Sequence, residues 1–157
     1  ALGVVKRGAV RVHDKLKLMP SGRDVEVRSI QMNDADVKES FSGDRVGLCI
    51  KGVKSEEVGR GEVVCAGAGV EGLKEFECEV SAVKFLRETL ENGVYHLSAG
   101  LQVEPCKLEL SAPLAAGASA KAKIVCDKPL AVEKDGKMAL CNLNAKGLRV
   151  LAGVRRV

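Results

Sequence analysis

The sequence predicts an all-β protein built as two antiparallel β-barrels, and three observations predict it. Apolar and polar residues alternate with a period of two in one run after another, and Gly-bearing turns separate the runs about every 8–15 residues. The same style fills both halves, with Ala66-Gly67-Ala68-Gly69-Val70-Glu71-Gly72 between them. Helical patterning is scarce: residues 55–58 and 84–90 each suffice for one turn and are too short to stand alone. The layout that follows is a first barrel over residues 1–66, a Gly-rich linker over 67–75 and a second barrel over 76–157.

Each strand has its own local reason. Leu16 and Leu18 alternate with Lys15 and Lys17, and Pro20-Ser21-Gly22-Arg23 then makes a turn. Val25 and Val27 alternate with Asp24, Glu26 and Arg28. Beyond the turn at Ser42-Gly43, the residues Val46, Leu48 and Ile50 alternate with Gly47, Cys49 and Lys51. In the second half Phe76, Cys78 and Val80 face away from Glu77, Glu79 and Ser81. Ala120, Ala122, Ile124 and Cys126 do the same against Lys121, Lys123 and Val125. Asp135-Gly136 and Lys146-Gly147 read as hairpin turns before the last two strands.

Composition narrows the function classes. Of 157 residues 46% are hydrophobic, yet only 3% are aromatic and Trp is absent, so Val, Leu, Ile, Ala and Cys must build the core. Residues 1–66 carry 12 basic and 10 acidic side chains and residues 67–157 carry 13 and 11, so each half is +2. That balance permits a local basic surface on phosphates but is far from a nucleic-acid-binding tail. The six Cys are widely spaced, with no C-x-x-C, and the only His are His13 and His96. Zinc sites need close ligand pairs, so no metal site is expected. The Cys read as small core residues of a reduced protein. A Cys/His nucleophile at His96 lacks an orienting partner and an oxyanion turn, so His96 reads as structural. No run approaches a membrane span, and no signal-peptide layout opens the chain, so no membrane partner is expected and the compartment is the cytoplasm. The chain opens Ala-Leu-Gly without an initiator Met, which suggests processing or a fragment.

Asp44-Arg45-Val46-Gly47 spells the D-x-x-G with which GTPases sense a γ-phosphate. The chain has no G-x-x-x-x-G-K-[ST] loop and no N-K-x-D, so the tetrapeptide reads as a turn opening a strand. No enzymatic activity is expected.

Taken whole, Gly43-Asp44-Arg45-Val46-Gly47-Leu48-Cys49-Ile50-Lys51-Gly52-Val53, followed by Glu56-Glu57-Val58-Gly59-Arg60-Gly61-Glu62-Val63-Val64, resembles the second domain of translational GTPases. There a G-[DE]-x-V-G strand leads through a short turn to an R-G-x-V strand. Gly3-Val4-Val5-Lys6-Arg7-Gly8 with Val12-His13-Asp14-Lys15-Leu16 is similar to the hairpin that precedes it. Arg28-Ser29-Ile30-Gln31 looks most like the selenocysteine-specific elongation factors and related archaeal proteins. Residues 76–157 are similar to the third domain of those factors, on His96-Leu97-Ser98-Ala99-Gly100, Glu104-Pro105 and Arg149-Val150-Leu151-Ala152-Gly153-Val154.

The resemblance, to the elongation factor Tu and selenocysteine-factor family, implies domains II and III without the GTPase domain. It implies a module that binds the acceptor end of aminoacyl-tRNA. Gln31 and Arg45 would lie nearest the aminoacyl-adenosine, with Asn33 and Asp34 lining the same pocket. Asp34 stands where elongation factor Tu carries an Arg. Gln102, Lys107 and Arg149 are the implied contacts to the tRNA stem. The implied partners are aminoacyl-tRNA, the ribosome and a GTPase domain in cis or in trans. No cofactor is implied for this chain, since GTP and Mg2+ belong to a GTPase domain carried elsewhere. The alternative is a protein-interaction barrel that docks on a GTPase domain or the ribosome without tRNA. The family's strand of the type h-x-V-x-G-x-G lies before the position matching Ala1, so an unpaired sheet edge is expected.

Overall fold

The computed structural model describes residues 1–67 and 69–157, and the chain divides into a unit of residues 1–68 and a unit of residues 69–157. Residues 70–75, read from the sequence as linker, form the first part of a strand.

The first unit contains β1 (Leu2–Val4), β2 (Ala9–Arg11), β3 (Lys15–Met19), β4 (Arg23–Met32), β5 (Ala35–Val37), β6 (Glu39–Phe41), β7 (Arg45–Lys51) and β8 (Val63–Cys65). A single 3-10 turn, Ser55–Glu57, interrupts them. The main sheet runs β1-β7-β4-β3-β8, β5 adds to the upper part of β4, and β2 pairs β6 separately. All the ladders are antiparallel. Among the described residues the path is open in its hydrogen bonds, with β1 and β8 at its two ends. Val10, Val27, Ile30 and Val46 make its buried core, with Val5, Val12, Leu16, Val37 and Leu48 packed around them.

One irregularity decides which way β4 faces. Val25 and Val27 point inward, so strict alternation would bury Gln31 as well. Instead the register slips between Val27 and Ser29 against β7, which gives β4 one extra residue at Arg28. After the slip Ile30 is fully buried and Gln31 is exposed.

The second unit contains β9 (Val70–Ala82), β10 (Gly93–Ala99), β11 (Gln102–Leu110), β12 (Ser119–Glu133), β13 (Lys137–Cys141) and β14 (Val150–Arg156). They close into a six-stranded barrel in the order β10-β11-β12-β9-β14-β13. Its core is aliphatic, as the low aromatic content requires: Leu97, Leu108, Ile124, Leu130 and Leu140 are 0% exposed. Cys78, Cys106 and Cys126 fill the remaining interior, and all six Cys are free thiols. Cys49 departs from the core reading, since it lies exposed on the outer side of β7.

Two more local readings change. Residues 84–90 form no helix; the segment turns and then bridges Leu90 to Leu114. Asp135-Gly136 does turn the chain, but the strands it joins, β12 and β13, are not neighbours in the barrel. Lys146-Gly147 lies in the wider connection between β13 and β14, which do pair.

Candidate functional site

The Asp44 tetrapeptide is a structural corner. Asp44 Oδ2 accepts the Phe41 backbone N–H at 2.8 Å and the Ser40 hydroxyl at 2.9 Å, and Ser40 is 1% exposed. Those two donors, Phe41 N–H first, hold the carboxyl below its ordinary value. The Asp therefore fastens β6 to the start of β7, and Arg45 begins that strand.

From this corner the candidate surface can be assembled on the outer side of β1, β7, β4 and β5. Gln31 lies directly opposite Gly47 on one side and Asp36 on the other. Gly47 in turn faces Leu2 on β1, and Arg45, two residues earlier on the same side of β7, faces Val4. Gln31 and Arg45 are thus diagonal neighbours on one exposed face, at a separation of about 7–8 Å between Cα atoms. The structure brings these two predicted residues together. Among the described residues neither side chain makes a hydrogen bond or an ion pair.

Gly47 and Leu2 complete the face, and sequence reasoning missed both. A side chain at Gly47 would begin 3.4 Å from Leu2 Cδ2 and 3.8 Å from Gln31 Cβ. The floor between the amide of Gln31 and the guanidinium of Arg45 is therefore bare backbone with an apolar wall, Leu2 at 91% and Val4 at 56% exposure. An exposed amide, a cation and a flat apolar surface suit a ligand that combines hydrogen-bonding edges with anionic and apolar parts.

Asn33 and Asp34 have a different reason to exist. Met32 pairs Ala35, which leaves these two as the whole loop of the β4–β5 hairpin. Their φ values are 51° and 62°, the left-handed pair of a type I′ turn, which Asn and Asp tolerate better than most residues. Their identity follows from the turn.

The three stem candidates are not gathered into one patch. Gln102 Oε1 accepts the Ala131 N–H at 2.8 Å, which satisfies a buried backbone donor of β12. Lys107 Nζ donates to Glu109 Oε1 at 2.8 Å on the outer wall. Arg149 lies exposed just before β14. The Glu75, Glu77 and Glu79 row, by contrast, belongs to a ladder of opposite charges. In register, Glu77 faces Lys123 and Glu79 faces Lys121 and Arg155, while Lys123 reaches Glu75 at 3.3 Å.

His96 sits on the outer side of β10 opposite Cys141, with its Nδ1 buried and unpartnered. The Cys141 thiol is itself raised by burial, so the pair holds no ready nucleophile. Among the described residues no group of three or more His, Cys, Asp or Glu could hold a metal, and no helix is long and apolar enough to cross a membrane.

Among the described residues, two shallow depressions contain none of the predicted residues. One of about 470 Å³ lies on the β3–β4–β7 side of the first unit, and one of about 350 Å³ lies beside Met138 and Gly153 in the second.

The first unit is an open antiparallel sheet with an exposed polar face and the second is a closed six-stranded barrel, which together define an all-β module of the β-barrel type. The elongation factor Tu domain 2 family model matches residues 1–65. An uncharacterized protein of Methanocaldococcus jannaschii is 35% identical over 151 residues, covering 96% of this chain and 46% of that protein. The selenocysteine-specific elongation factor of the same organism is 29% identical over 108 residues, covering 68% of this chain and 23% of the factor. The structure of translation elongation factor SelB from Methanococcus maripaludis, in its apo form, shares the fold with a TM-score of 0.83 at 20% identity. The match covers 98% of this chain and 38% of that one. The chain therefore spans less than half the length of these relatives. It is an elongation factor Tu- and SelB-like module of the domain II and domain III type.

Proposed function

We propose that the chain binds the acceptor end of an aminoacyl-tRNA on the β1–β7–β4 face of its first unit. The observation that carries this reading is the meeting of Gln31, Gly47 and Arg45 on one exposed surface with an uncommitted amide and an uncommitted cation. The Gln31 amide can donate to and accept from a base edge or a ribose hydroxyl. The Arg45 guanidinium favours an anionic neighbour, whether a phosphate or an ionised aminoacyl side chain. The bare floor at Gly47 lets a flat group lie against backbone and Leu2. The second barrel would steady the stem, and a GTPase domain, in cis or in trans, would supply the nucleotide chemistry on the ribosome.

The test is a gel shift over a range of salt with charged and deacylated tRNA. Binding that falls on deacylation, and falls about tenfold or more in Gln31→Ala or Arg45→Ala, is the expected result, given about 1.5–3 kcal/mol for a hydrogen bond to a charged group. Equal binding of both tRNAs, or variants that bind as the parent does, would refute it.

A second reading has its own support. The outer side of β10 and β11 exposes Val94 at 77% and Val103 at 46%, and Leu101 at the turn between them at 66%. In this reading the module docks on a protein, such as a GTPase domain or a ribosomal component, without tRNA. No shift with either tRNA at low salt would favour it.

A further inference from the structure

The depression of about 350 Å³ lies on the outer wall of the second barrel, and the row of charges along its border is unevenly matched. Lys121, Glu79, Arg155 and Lys137 stand in register on β12, β9, β14 and β13, all exposed. Three cations thus share one carboxylate, and among the described residues none of the four is held in an ion pair. Two residues along each strand, Ser119, Ser81, Gly153 and Ala139 form the floor beside them. The floor continues through Ser98 of β10 to Val103 of β11, which lies exposed near Leu101. Gly153 is the residue that needs a reason. Glycine weakens a strand interior. Here no left-handed backbone requires it, and a Cβ would meet nothing within 4 Å. A strand glycine with no internal cause marks a place where something outside comes close to the backbone.

We infer that this trench docks an extended acidic segment of a protein partner, with an apolar residue at the β11 end. Charge spacing selects the occupant. Lys121 and Lys137 lie three strands apart, about 14 Å. In an extended chain, carboxylates at positions i and i+4 point the same way and lie about 13 Å apart, with i+2 between them near Arg155. The floor supplies the polar partners. The hydroxyls of Ser81 and Ser119 join at 2.8 Å, which uses one hydroxyl hydrogen and leaves the other to donate. An extended backbone brings open N–H and C=O groups to such hydroxyls, whereas a helix keeps its own paired. A nucleic-acid backbone would gain from the cations, but it would meet Glu79 in the same row and has no use for the apolar end. The trench belongs to the second unit and does not rest on the acceptor-end reading.

The probe is a capped, fluorescein-labelled peptide of sequence LEAEAEL, with carboxylates at alternate positions and a leucine at either end. Its binding to the full chain is followed by fluorescence anisotropy at about 50 and about 500 mM salt. The parent is expected to bind at low salt with a dissociation constant below about 1 mM, and the uncharged peptide LQAQAQL to bind clearly more weakly. Gly153→Val puts a side chain that strands favour onto the bare floor. Melting should therefore hold while affinity falls by about tenfold or more, the effect of a built-in clash. Lys137→Ala/Arg155→Ala acts without touching the floor. Exposed charge pairs are worth up to about fivefold each, so a loss of about fivefold to twentyfold is expected at low salt, shrinking at high salt. Gly3→Val, the same exchange at an open strand glycine of the first unit, keeps the parent affinity. Should Gly153→Val melt below the parent, the double variant decides. No binding by the parent up to about 1 mM, parent-like binding by the double variant or by a stably folded Gly153→Val, an equal loss in Gly3→Val, or displacement of the peptide by a lower concentration of poly-uridine RNA would each overturn the inference. The peptide carries no nucleotide, so its failure to bind leaves the acceptor-end reading standing.

Discussion

Two glycines, Gly47 and Gly52, sit five residues apart on and just beyond β7, and the same exchange to Ala is expected to act oppositely on them. Gly52 has φ +107°, a region that side chains of L residues rarely adopt, and a Cβ there would stand 2.6 Å from the Asp24 carbonyl oxygen. Reaching an ordinary contact of 3.4 Å requires β4 and the end of β7 to part by about 0.8 Å, the difference between those distances. The left-handed backbone costs about 1–2 kcal/mol for a residue with a Cβ. Disturbing the adjoining ladder costs about 1 kcal/mol more. A loss of about 2–3 kcal/mol, divided by an m-value of about 1–3 kcal/mol/M, lowers the urea midpoint of the first unit by roughly 0.7–3 M. At Gly47 the nearest atom is the flexible tip of Leu2 at 3.4 Å. Relief of glycine's entropy cost in a strand, about 0.5–1 kcal/mol, offsets the small shift that tip requires. Gly47→Ala therefore keeps the parent midpoint, while its new methyl group roughens the floor between Gln31 and Arg45 and weakens charged tRNA. Because the chain has no Trp and its one Tyr lies in the second unit, unfolding should be followed by circular dichroism. Hydrogen exchange read by mass spectrometry then assigns the transition to residues 1–67. Gly52→Ala unfolding at the parent midpoint, or Gly47→Ala falling as far as Gly52→Ala, would refute the reasoning.

Gln102→Ala strips the acceptor from the buried Ala131 N–H and is expected to cost about 1–3 kcal/mol. A scanning melt should show the second barrel melting lower, with Gln102→Glu, which keeps an acceptor oxygen, recovering most of the loss. Asn33→Gly/Asp34→Gly keeps the left-handed turn and should leave both melting and charged-tRNA affinity near the parent values; a clear loss of affinity with melting intact would return these residues to the binding site. Burial pushes the thiols of Cys78 and Cys106 up from 9.0 to about 12 and that of Cys126 to about 11. Their folded values exceed the unfolded one, so this stability is complete below about pH 9 and is lost as pH rises from there to about 12. In native protein at pH 8, iodoacetamide should accordingly modify Cys49 and Cys65 and spare Cys78, Cys106 and Cys126, as peptide mapping would show.

Strand positions were legible in the sequence wherever one face was buried. Phe76, Cys78 and Val80 went inside and their Glu neighbours outside because a period of two leaves no other arrangement. The slip at Arg28 was not legible. Val25, Val27 and Ile30 break the period, but no residue type there announces an extra residue, and only the ladder with β7 shows where it falls. Gln31 ends up exposed, where alternation alone would have buried it. Asn33-Asp34 carried a readable signal that went unused, two turn-forming residues between strand-like runs. Gly72 misled in the other direction. Counted with the linker, it lies inside β9 and pairs Ala131 of β12, because a long twisted strand tolerates a glycine once its neighbours on both sides are paired. The charge ladder of Glu75, Glu77 and Glu79 was invisible for a different reason: Lys121, Lys123 and Arg155 are more than 40 residues away and become partners only through register.

The two halves have the same net charge, so any difference in how they meet RNA must come from how committed their side chains are. Gln102 is engaged by a buried backbone donor, and Lys107 by a carboxylate two residues away. Removing Lys107 would cost little stability, since the pair is exposed, and would leave Glu109 with only its cross-strand neighbour Lys123 on the outer wall. If that wall faced a stem, Lys107→Ala would lose an attraction and gain a repulsion, a compound effect larger than that of losing one phosphate contact. If it faces solvent, the salt slope stays as it was. On the first unit Gln31 and Arg45 have no internal partner among the described residues, so a ligand gains their full hydrogen-bonding and charge capacity without first breaking a bond. The expectation is therefore that exchanges on the first unit dominate the loss of RNA affinity and that Lys107→Ala leaves the slope nearly unchanged. A salt slope for charged tRNA that falls more for Lys107→Ala than for Arg45→Ala would show that the outer wall of the second barrel is the principal RNA surface.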